Sequence, residues 1–280
     1  MQSTLMEDLE IEKELKLINK APVKTIYKYP SFRTSKKTSS TKAILGIQKD
    51  ECPIGTVPIK RTTKDDLIRG KSYFNNGLID HMHGNHYAEV ISGYFPYYNG
   101  VHGTSSIYNV SVTNDQSSCS VMYVRNGPDS TNYIGMGWHV APELYNDYAP
   151  HVYIVWTDLE TKNWWLNMQD EMLGYFPASL FSDLNYAGEV GWGGRTSTSL
   201  SSPSPPMGSG VFPDNVYNHA SYFTHVSFQI NSTERLEPET YTVKTFNDKP
   251  DCFFAEYYGF LDEEFRYSLQ FGGPGGNCGD

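Results

Sequence analysis

The run Ile134-Gly135-Met136-Gly137-Trp138-His139-Val140 alternates bulky and small residues with a period of two. That is the spacing at which successive side chains of an extended strand project to opposite faces. Met136, Trp138 and Val140 then share one face, and Gly135, Gly137 and His139 share the other. The first face is made to pack; the second is expected to be nearly bare, which suits the floor of a groove beside a single histidine and equally a glycine-rich strand lying under another sheet. A second strand-like run, Glu189-Val190-Gly191-Trp192-Gly193-Gly194-Arg195, fences a tryptophan with three glycines. Glycine weakens a strand through entropy and the missing side chain, so this density points to a bulge or to a backbone that something approaches closely.

Working outward, short β-branched or aromatic runs separated by Gly, Pro, Asn and Asp predict strands over His86–Tyr94, Ser105–Val112, Ser118–Arg125, Asn132–Val140 and His151–Thr157. They continue over Asn163–Met168 and Met172–Phe176, near Glu189, and over Gly208–Phe212, Tyr222–Ile230, Phe253–Tyr258 and Arg266–Phe271, with one helical turn at Pro177–Phe181. About a dozen strands with no long helix between them predict an all-β fold, an antiparallel sandwich of two packed, twisted sheets. The aromatic load of 21 Tyr, 14 Phe and 5 Trp, with 24 Gly and 16 Pro, fits short strands joined by tight turns.

The first 85 residues read differently. Leu5, Leu9, Ile11, Leu15 and Ile18 recur at mostly helical spacing among Glu and Lys, which predicts an amphipathic helix. Residues 21–50 are rich in Lys, Ser and Thr and read as a linker. Residues 51–62 carry two prolines around an apolar pair and are expected to be extended, before Thr63 caps a short helix. The expected boundaries are therefore an N-terminal region over 1–85 and a β domain over 86–280.

With 22 Lys+Arg against 32 Asp+Glu and no basic block interleaved with aromatics, nucleic acid is not an expected partner. No apolar run approaches the ~20 residues of a membrane helix, and the charged N-terminus lacks the apolar core of a secretory signal. Two sequons, at Asn109 and Asn231, and four cysteines nevertheless suggest a secreted lineage. Cys252 and Cys278 bracket the C-terminal segment and are candidates for a disulfide, whereas Cys52 and Cys119 have no obvious mates.

His81-Met82-His83-Gly84-Asn85-His86 has the residue types of a metal site, but a zinc ion needs further ligands on rigid elements and this run is a Gly/Asn loop. No metal and no cofactor are expected. The glycines of Gly272-Gly273-Pro274-Gly275-Gly276 follow a strand and have no helix to receive a phosphate.

Several segments together resemble the neprosin family of plant-type glutamic endopeptidases, which cut near proline and carry an N-terminal activation peptide. The matching pieces are residues 52–62, Gly137-Trp138-His139-Val140-Ala141-Pro142-Glu143-Leu144-Tyr145, Asn163-Trp164-Trp165-Leu166, Leu173-Gly174-Tyr175-Phe176-Pro177, Trp192-Gly193-Gly194, Met207-Gly208-Ser209-Gly210 and Ala220-Ser221-Tyr222-Phe223. They occur in family order. The resemblance implies a cleft across one sheet of the sandwich, an activation-peptide-like region over 1–85, and an extracellular or vacuolar location.

It also implies two glutamates facing each other across the cleft, one as general base on a water and one as acid or oxyanion stabiliser. The first family position lies two residues before Gly137-Trp138 and the second directly follows Trp192-Gly193-Gly194. Here they hold Gly135 and Arg195. Arg195 cannot exchange a proton at working pH, and Gly135 has no side chain. Glu143 and Glu189 are the weak substitutes: Glu189 lies roughly 20 Å along the strand from Arg195 and Glu143 lies beyond a proline. Between Thr157 and Asn163 only Asp158–Lys162 remain where relatives have an insertion. The expectation is a catalytically impaired member that binds a proline-containing polypeptide or a glycan along Trp138, His139, Trp192, Gly193 and Gly194. The alternative is an active acid endopeptidase with relocated carboxylates. No oligomeric state follows from the sequence.

Overall fold

The computed structural model describes residues 2–19, 61–73, 84–127, 132–156, 164–168, 171–176, 181–199, 202–231 and 235–279. In chain order the elements are α1 (Gln2–Ile18), α2 (Lys64–Tyr73), β1 (His86–Ser92), β2 (Gly100–Ser105), β3 (Ser117–Asn126), β4 (Asn132–Val140) and α3 (Pro142–Tyr145). They continue with β5 (His151–Trp156), β6 (Trp164–Met168), β7 (Glu171–Phe176), β8 (Glu189–Ser197), β9 (Ser221–Gln229), β10 (Arg235–Leu236), β11 (Lys244–Asn247), β12 (Phe254–Phe260) and β13 (Tyr267–Gly272). The chain divides into two compact units, Met1–Ile79 with Trp165–Tyr175, and Asp80–Trp164 with Phe176–Asp280.

In the first unit the expected N-terminal helix is α1. Thr63 caps α2 reciprocally: its hydroxyl accepts from the Asp66 N–H at 3.1 Å while the Asp66 carboxylate accepts from the Thr63 N–H at 2.9 Å. Lys64 pairs with Asp8 at 2.7 Å and Lys71 with Glu14 at 2.5 Å, so α1 and α2 meet through complementary charge. Both pairs are exposed and contribute little each. The strands β6 and β7 form a two-stranded sheet.

The second unit is the predicted antiparallel sandwich. One sheet has six strands in the order β11-β1-β8-β3-β4-β5; the other has five, β10-β9-β13-β12 with β2 also paired to β9. Period-two alternation puts Ala88, Val90, Trp192, Trp138 and Val140 on the inner face of the first sheet, all buried. Phe223, Val226, Phe228, Leu269, Phe271 and Ala255 are among the buried residues of the second. The indole N–H of Trp138 donates to the Ser106 carbonyl at 2.7 Å and that of Trp192 to the His102 carbonyl at 2.9 Å, so each large ring is placed by a directional bond as well as by packing. The predicted disulfide links Cys252 and Cys278, with Cα atoms 5.9 Å apart.

Two expected strands are absent from their positions. Over Ser105–Val112, β2 instead begins at Gly100 and stops at Ser105. Ser106 turns the chain away because its carbonyl serves Trp138 and its hydroxyl accepts from the Tyr222 N–H at 2.9 Å. Val110 and Val112 are buried all the same, against Trp138 and Val140, so the apolar pattern marked packing without strand pairing. Over Gly208–Phe212 there is a turn, with Gly208 and Gly210 at φ of 63° and 80° and the Gly210 N–H bonded to the Met207 carbonyl. The linker, Cys52, and most of the turn expected at Pro177–Phe181 lie outside the described residues.

Candidate functional site

The face of the six-stranded sheet turned away from the second sheet is laid out in rows by strand pairing. Tyr87, Arg195, Cys119, His139 and His151 are direct neighbours across β1, β8, β3, β4 and β5. The next row holds Phe246, Glu89, Gly193, Val121 and Gly137, and the one after it Ile91, Gly191, Tyr123 and Gly135. Glu189, Arg125 and Tyr133 follow. In the middle row Gly193 and Gly137 carry no side chain, which leaves a trough in the sheet surface between the Arg195 row and the tyrosines; Glu89, Gly193 and Val121 within it are buried and Gly137 is partly exposed.

Arg195 and Gly135, the two positions singled out by the sequence, share this face. Arg195 Nε donates to Glu89 Oε1 at 2.7 Å, and Tyr123 donates its phenol proton to Glu89 Oε2 at 2.8 Å. Both carboxylate oxygens are thus engaged, in a side chain only 3% exposed, while that of Arg195 remains 27% exposed. The guanidinium carbon lies 5.3 Å from the Tyr87 ring centre, 5.1 Å from Tyr123 and 5.1 Å from Tyr133, distances at which a cation is held by an aromatic quadrupole. Tyr123 and Tyr133 belong to the opposite wall, so the arginine reaches over the trough and bars it.

The space over Gly135 is not bare, as expected from alternation alone, but filled. A Cβ at that position would stand 2.5 Å from Tyr133 Oη. The Tyr133 ring stacks on Tyr123 with centres 5.4 Å apart, and the Tyr123 ring in turn fills the space over Gly191. Burial raises the pKa of both phenols, so each stays protonated and can donate. The hydroxyl of Tyr133 is buried and has no hydrogen-bond partner among the described residues.

At the β4–β5 end His139 is buried, with Nδ1 3.4 Å from the Tyr145 hydroxyl. Burial, aided by the charge of His151, pushes its pKa down to about 3, so the ring is neutral at working pH. Tyr145 stacks on His151 at 4.1 Å, and His151 Nε2 lies 2.8 Å from Asp147 Oδ1. Cys119, buried between Arg195 and His139 in the row, is outside any disulfide.

The other sequence candidates are scattered. Trp138, Trp192 and Gly194 are on the interior face and cannot line the groove: both indoles are buried, and a Cβ on Gly194 would lie 2.5 Å from the Phe271 ring. Gly193 is on the trough floor, where a Cβ would strike the Ala88 carbonyl at 2.2 Å, so the close approach inferred from its sequence is made by the neighbouring strand's own backbone. Glu189 is paired with Arg125 and stands 4.0 Å from Lys244, at the far end of β8 from Arg195. Glu143 is in α3, past the end of β4.

His86 is buried with Nδ1 2.9 Å from Asp248 Oδ2, while His81 and His83 lie outside the described residues. No group of three metal-ligating side chains occurs among the described residues. Asn109 is exposed and Asn231 half-buried, and no described helix is long and apolar enough to cross a membrane. Sequence reasoning missed Glu89. Its signal was a lone acid at the centre of the apolar strand His86–Ser92.

A family model described as neprosin matches residues 114–161 and 155–274, more than half of the 280-residue chain.

Proposed function

The chain belongs to the neprosin family, and on that premise we propose that it holds polypeptide in the trough without hydrolysing it by the carboxylate chemistry implied by the sequence resemblance. The observation that carries the reading is Arg195, which lies over the trough where the resemblance implies a carboxylate, with Glu89 as its counter-ion. A glutamic peptidase needs one carboxylate with a lone pair open to water and a second group to stabilise the developing oxyanion. Glu89 has both oxygens engaged, by Arg195 and by Tyr123, so a water would have to displace one of them to be activated. Over Gly135 the Tyr133 ring takes the room a glutamate would use. Both changes convert a proton-transfer site into a set of hydrogen-bond donors and aromatic faces. Such surfaces suit a peptide, and a glycan is the competing ligand.

On the same premise residues 1–85 act as an activation-peptide-like region, and the protein works outside the cytoplasm, in the extracellular space or a vacuole. The disulfide between Cys252 and Cys278 supports that location, because such bridges persist in oxidising compartments.

The test is to incubate the purified protein, before and after acid treatment, with a mixture of proline-containing peptides from pH 3 to pH 8. Retention of peptides without new termini is the expected result. Cleavage that disappears in Glu89→Gln, Glu143→Gln or Glu189→Gln would overturn the reading in favour of an acid endopeptidase with relocated carboxylates. Retention of oligosaccharides alone would replace peptide by glycan.

A further inference from the structure

We infer that the end of the sandwich at Ser92 and Ala187 is a second binding surface, a platform of exposed tyrosines that takes a neutral glycan. It is separate from the trough and does not rest on the peptide reading. Ser92 lies five residues along β1 from Tyr87 of the Arg195 row, roughly 17 Å away.

Three segments of chain meet at this end: residues 93–98 after β1, residues 185–187 before β8, and Thr240–Thr242 before β11. Hydrogen bonds tie them together from below. Tyr98 and Ala187 exchange both backbone bonds, at 2.7 and 2.8 Å. The Ser92 hydroxyl donates to the Thr242 carbonyl at 2.8 Å and lies 2.9 Å from the Tyr98 hydroxyl, which accepts from the Phe95 N–H at 3.1 Å. Tyr98 and Phe228 are fully buried, and the Phe95 ring packs on Phe228 with centres 5.4 Å apart. The loops are therefore fixed before any ligand arrives, and little ordering is left to oppose binding.

Four tyrosines stand out from this base: Tyr94 is 60% exposed, Tyr97 46%, Tyr186 44% and Tyr241 73%. They are paired. Tyr94 meets Tyr241 with ring centres 5.6 Å apart at 79°, and Tyr97 meets Tyr186 at 6.3 Å and 67°. A pair set edge to face forms a corner and leaves ring face open on its outer side. Tyr94 and Tyr97 are three residues apart, at most about 11 Å, so one extended ligand reaches both corners. Single exposed rings need no explanation, whereas contacting pairs held on adjoining loops mark a surface made to bind.

The chemistry of the platform selects its occupant. No residue of 93–98, 185–187 or 240–242 is charged. The charges next along the chain are engaged elsewhere: Glu239 accepts from the Tyr267 hydroxyl at 2.9 Å, and Glu189 faces Arg125 and Lys244. A phosphate or a nucleic acid finds no cation here. The hydroxyls of Tyr94, Tyr97, Tyr186 and Tyr241 bond to no described residue, and each can donate once and accept twice. A polyproline segment fills aromatic corners but has no N–H, so it offers acceptors alone. A pyranose ring carries C–H groups on its faces and hydroxyls around its edge. It therefore meets the ring faces and uses both functions of the tyrosine hydroxyls, with no charge to neutralise.

The experiment is isothermal titration of the full chain at pH 7 with three neutral hexasaccharides: cellohexaose, xylohexaose and maltohexaose. At least one is expected to bind, with an affinity unchanged between about 0.05 and 0.5 M NaCl because no ion pair forms. The double variants Tyr94→Ser/Tyr241→Ser and Tyr97→Ser/Tyr186→Ser are each expected to weaken it at least about tenfold. Their thermal midpoints should match the parent, since the rings removed are exposed. The corresponding Tyr→Phe pairs keep the faces and lose the hydroxyls, and a several-fold loss is expected of them. Binding of none of the three sugars overturns the inference, and so does a glycan affinity that falls steeply with salt. Hexaproline bound in their place, and lost in the same variants, assigns the platform to a polyproline partner and overturns it too. Glycan that stays bound in both serine variants, or that Ala-Ala-Pro-Ala displaces, belongs to the trough and likewise overturns it. Failure of the chain to retain peptide, with glycan bound as expected, removes the trough reading and leaves the platform standing.

Discussion

Replacing Arg195 by methionine removes the guanidinium and keeps an unbranched stem, which leaves the Glu89 carboxylate buried with, among the described residues, only the Tyr123 hydroxyl at 2.8 Å. Glu89 is 3% exposed and cannot swing into water. Breaking a buried pair from the side that strands a charge costs about 3–5 kcal/mol. The opposite single change, Glu89→Leu, strands an arginine that is 27% exposed and still rests on three tyrosine rings, so its expected cost is smaller, about 1–2 kcal/mol. The double variant has neither charge to desolvate and is expected within about 1–2 kcal/mol of the parent, well short of the sum of the singles. Urea unfolding at pH 7 with a common m-value gives all four corners of the cycle. Two outcomes sink the reasoning: an Arg195→Met cost under about 1 kcal/mol, or a double variant whose loss is simply additive. Either result would mean that Glu89 reaches water and is available as a base, which would reopen the peptidase reading.

Acid should weaken the fold through His139. Its pKa in the fold is about 3, below the ordinary 6.5, so the unfolded chain takes up the proton first. The stabilising contribution is complete above pH 6.5 and declines by about 1.4 kcal/mol per unit as pH falls toward 3. At pH 4.5 wild type should have lost about 2–3 kcal/mol from this group, and His139→Gln should show a correspondingly flatter pH profile in chemical denaturation; matching profiles would contradict the assignment. Gly135→Ala brings a methyl to 2.5 Å from Tyr133 Oη, so a loss of about 1–3 kcal/mol is expected, relieved in part by a simultaneous Tyr133→Ala. Reducing Cys252–Cys278, which closes a loop of sequence separation 26, should lower stability by about 3 kcal/mol and reverse on reoxidation, as a thermal melt with and without reductant will tell.

The sandwich was legible because most of its strands announce their period: Trp138 and Val140, put on one packing face by alternation, are both buried. The helix cap at Thr63 was legible for the same local reason. What alternation cannot convey is which side of a sheet meets the second sheet. Trp138, Trp192 and Gly194 were therefore expected along the groove when they belong to the core beneath it. Ser105–Val112 misled because buried valines look alike whether or not their backbone is paired, and the pairing of Ser106 with Tyr222 depends on a strand more than a hundred residues away. Gly135 and Arg195 were singled out by the resemblance, but nothing local said what would surround them.

That missing information sits in Glu89, Tyr123 and Tyr133, each on a strand other than β8. Within β1 alone, an acid flanked by Ala88 and Val90 reads as a residue facing solvent; only the pairing of β1 with β8 brings it to Arg195, and only the pairing of β8 with β3 brings Tyr123 to its other oxygen. Glu89, 3% exposed, would be intolerable on this face without Arg195, since a stranded buried carboxylate costs about 3–5 kcal/mol. Arg195, 27% exposed, depends on Glu89 less. Tyr133 ties the pair to Gly135, because its ring can lie against the guanidinium only if position 135 has no side chain. The glycine, the arginine, the acid and the tyrosine are therefore one arrangement. Glycine at 135 and a cation at 195 are two sides of the same packing solution, so placing an acid at either position alone should not create a pair of carboxylates facing a water.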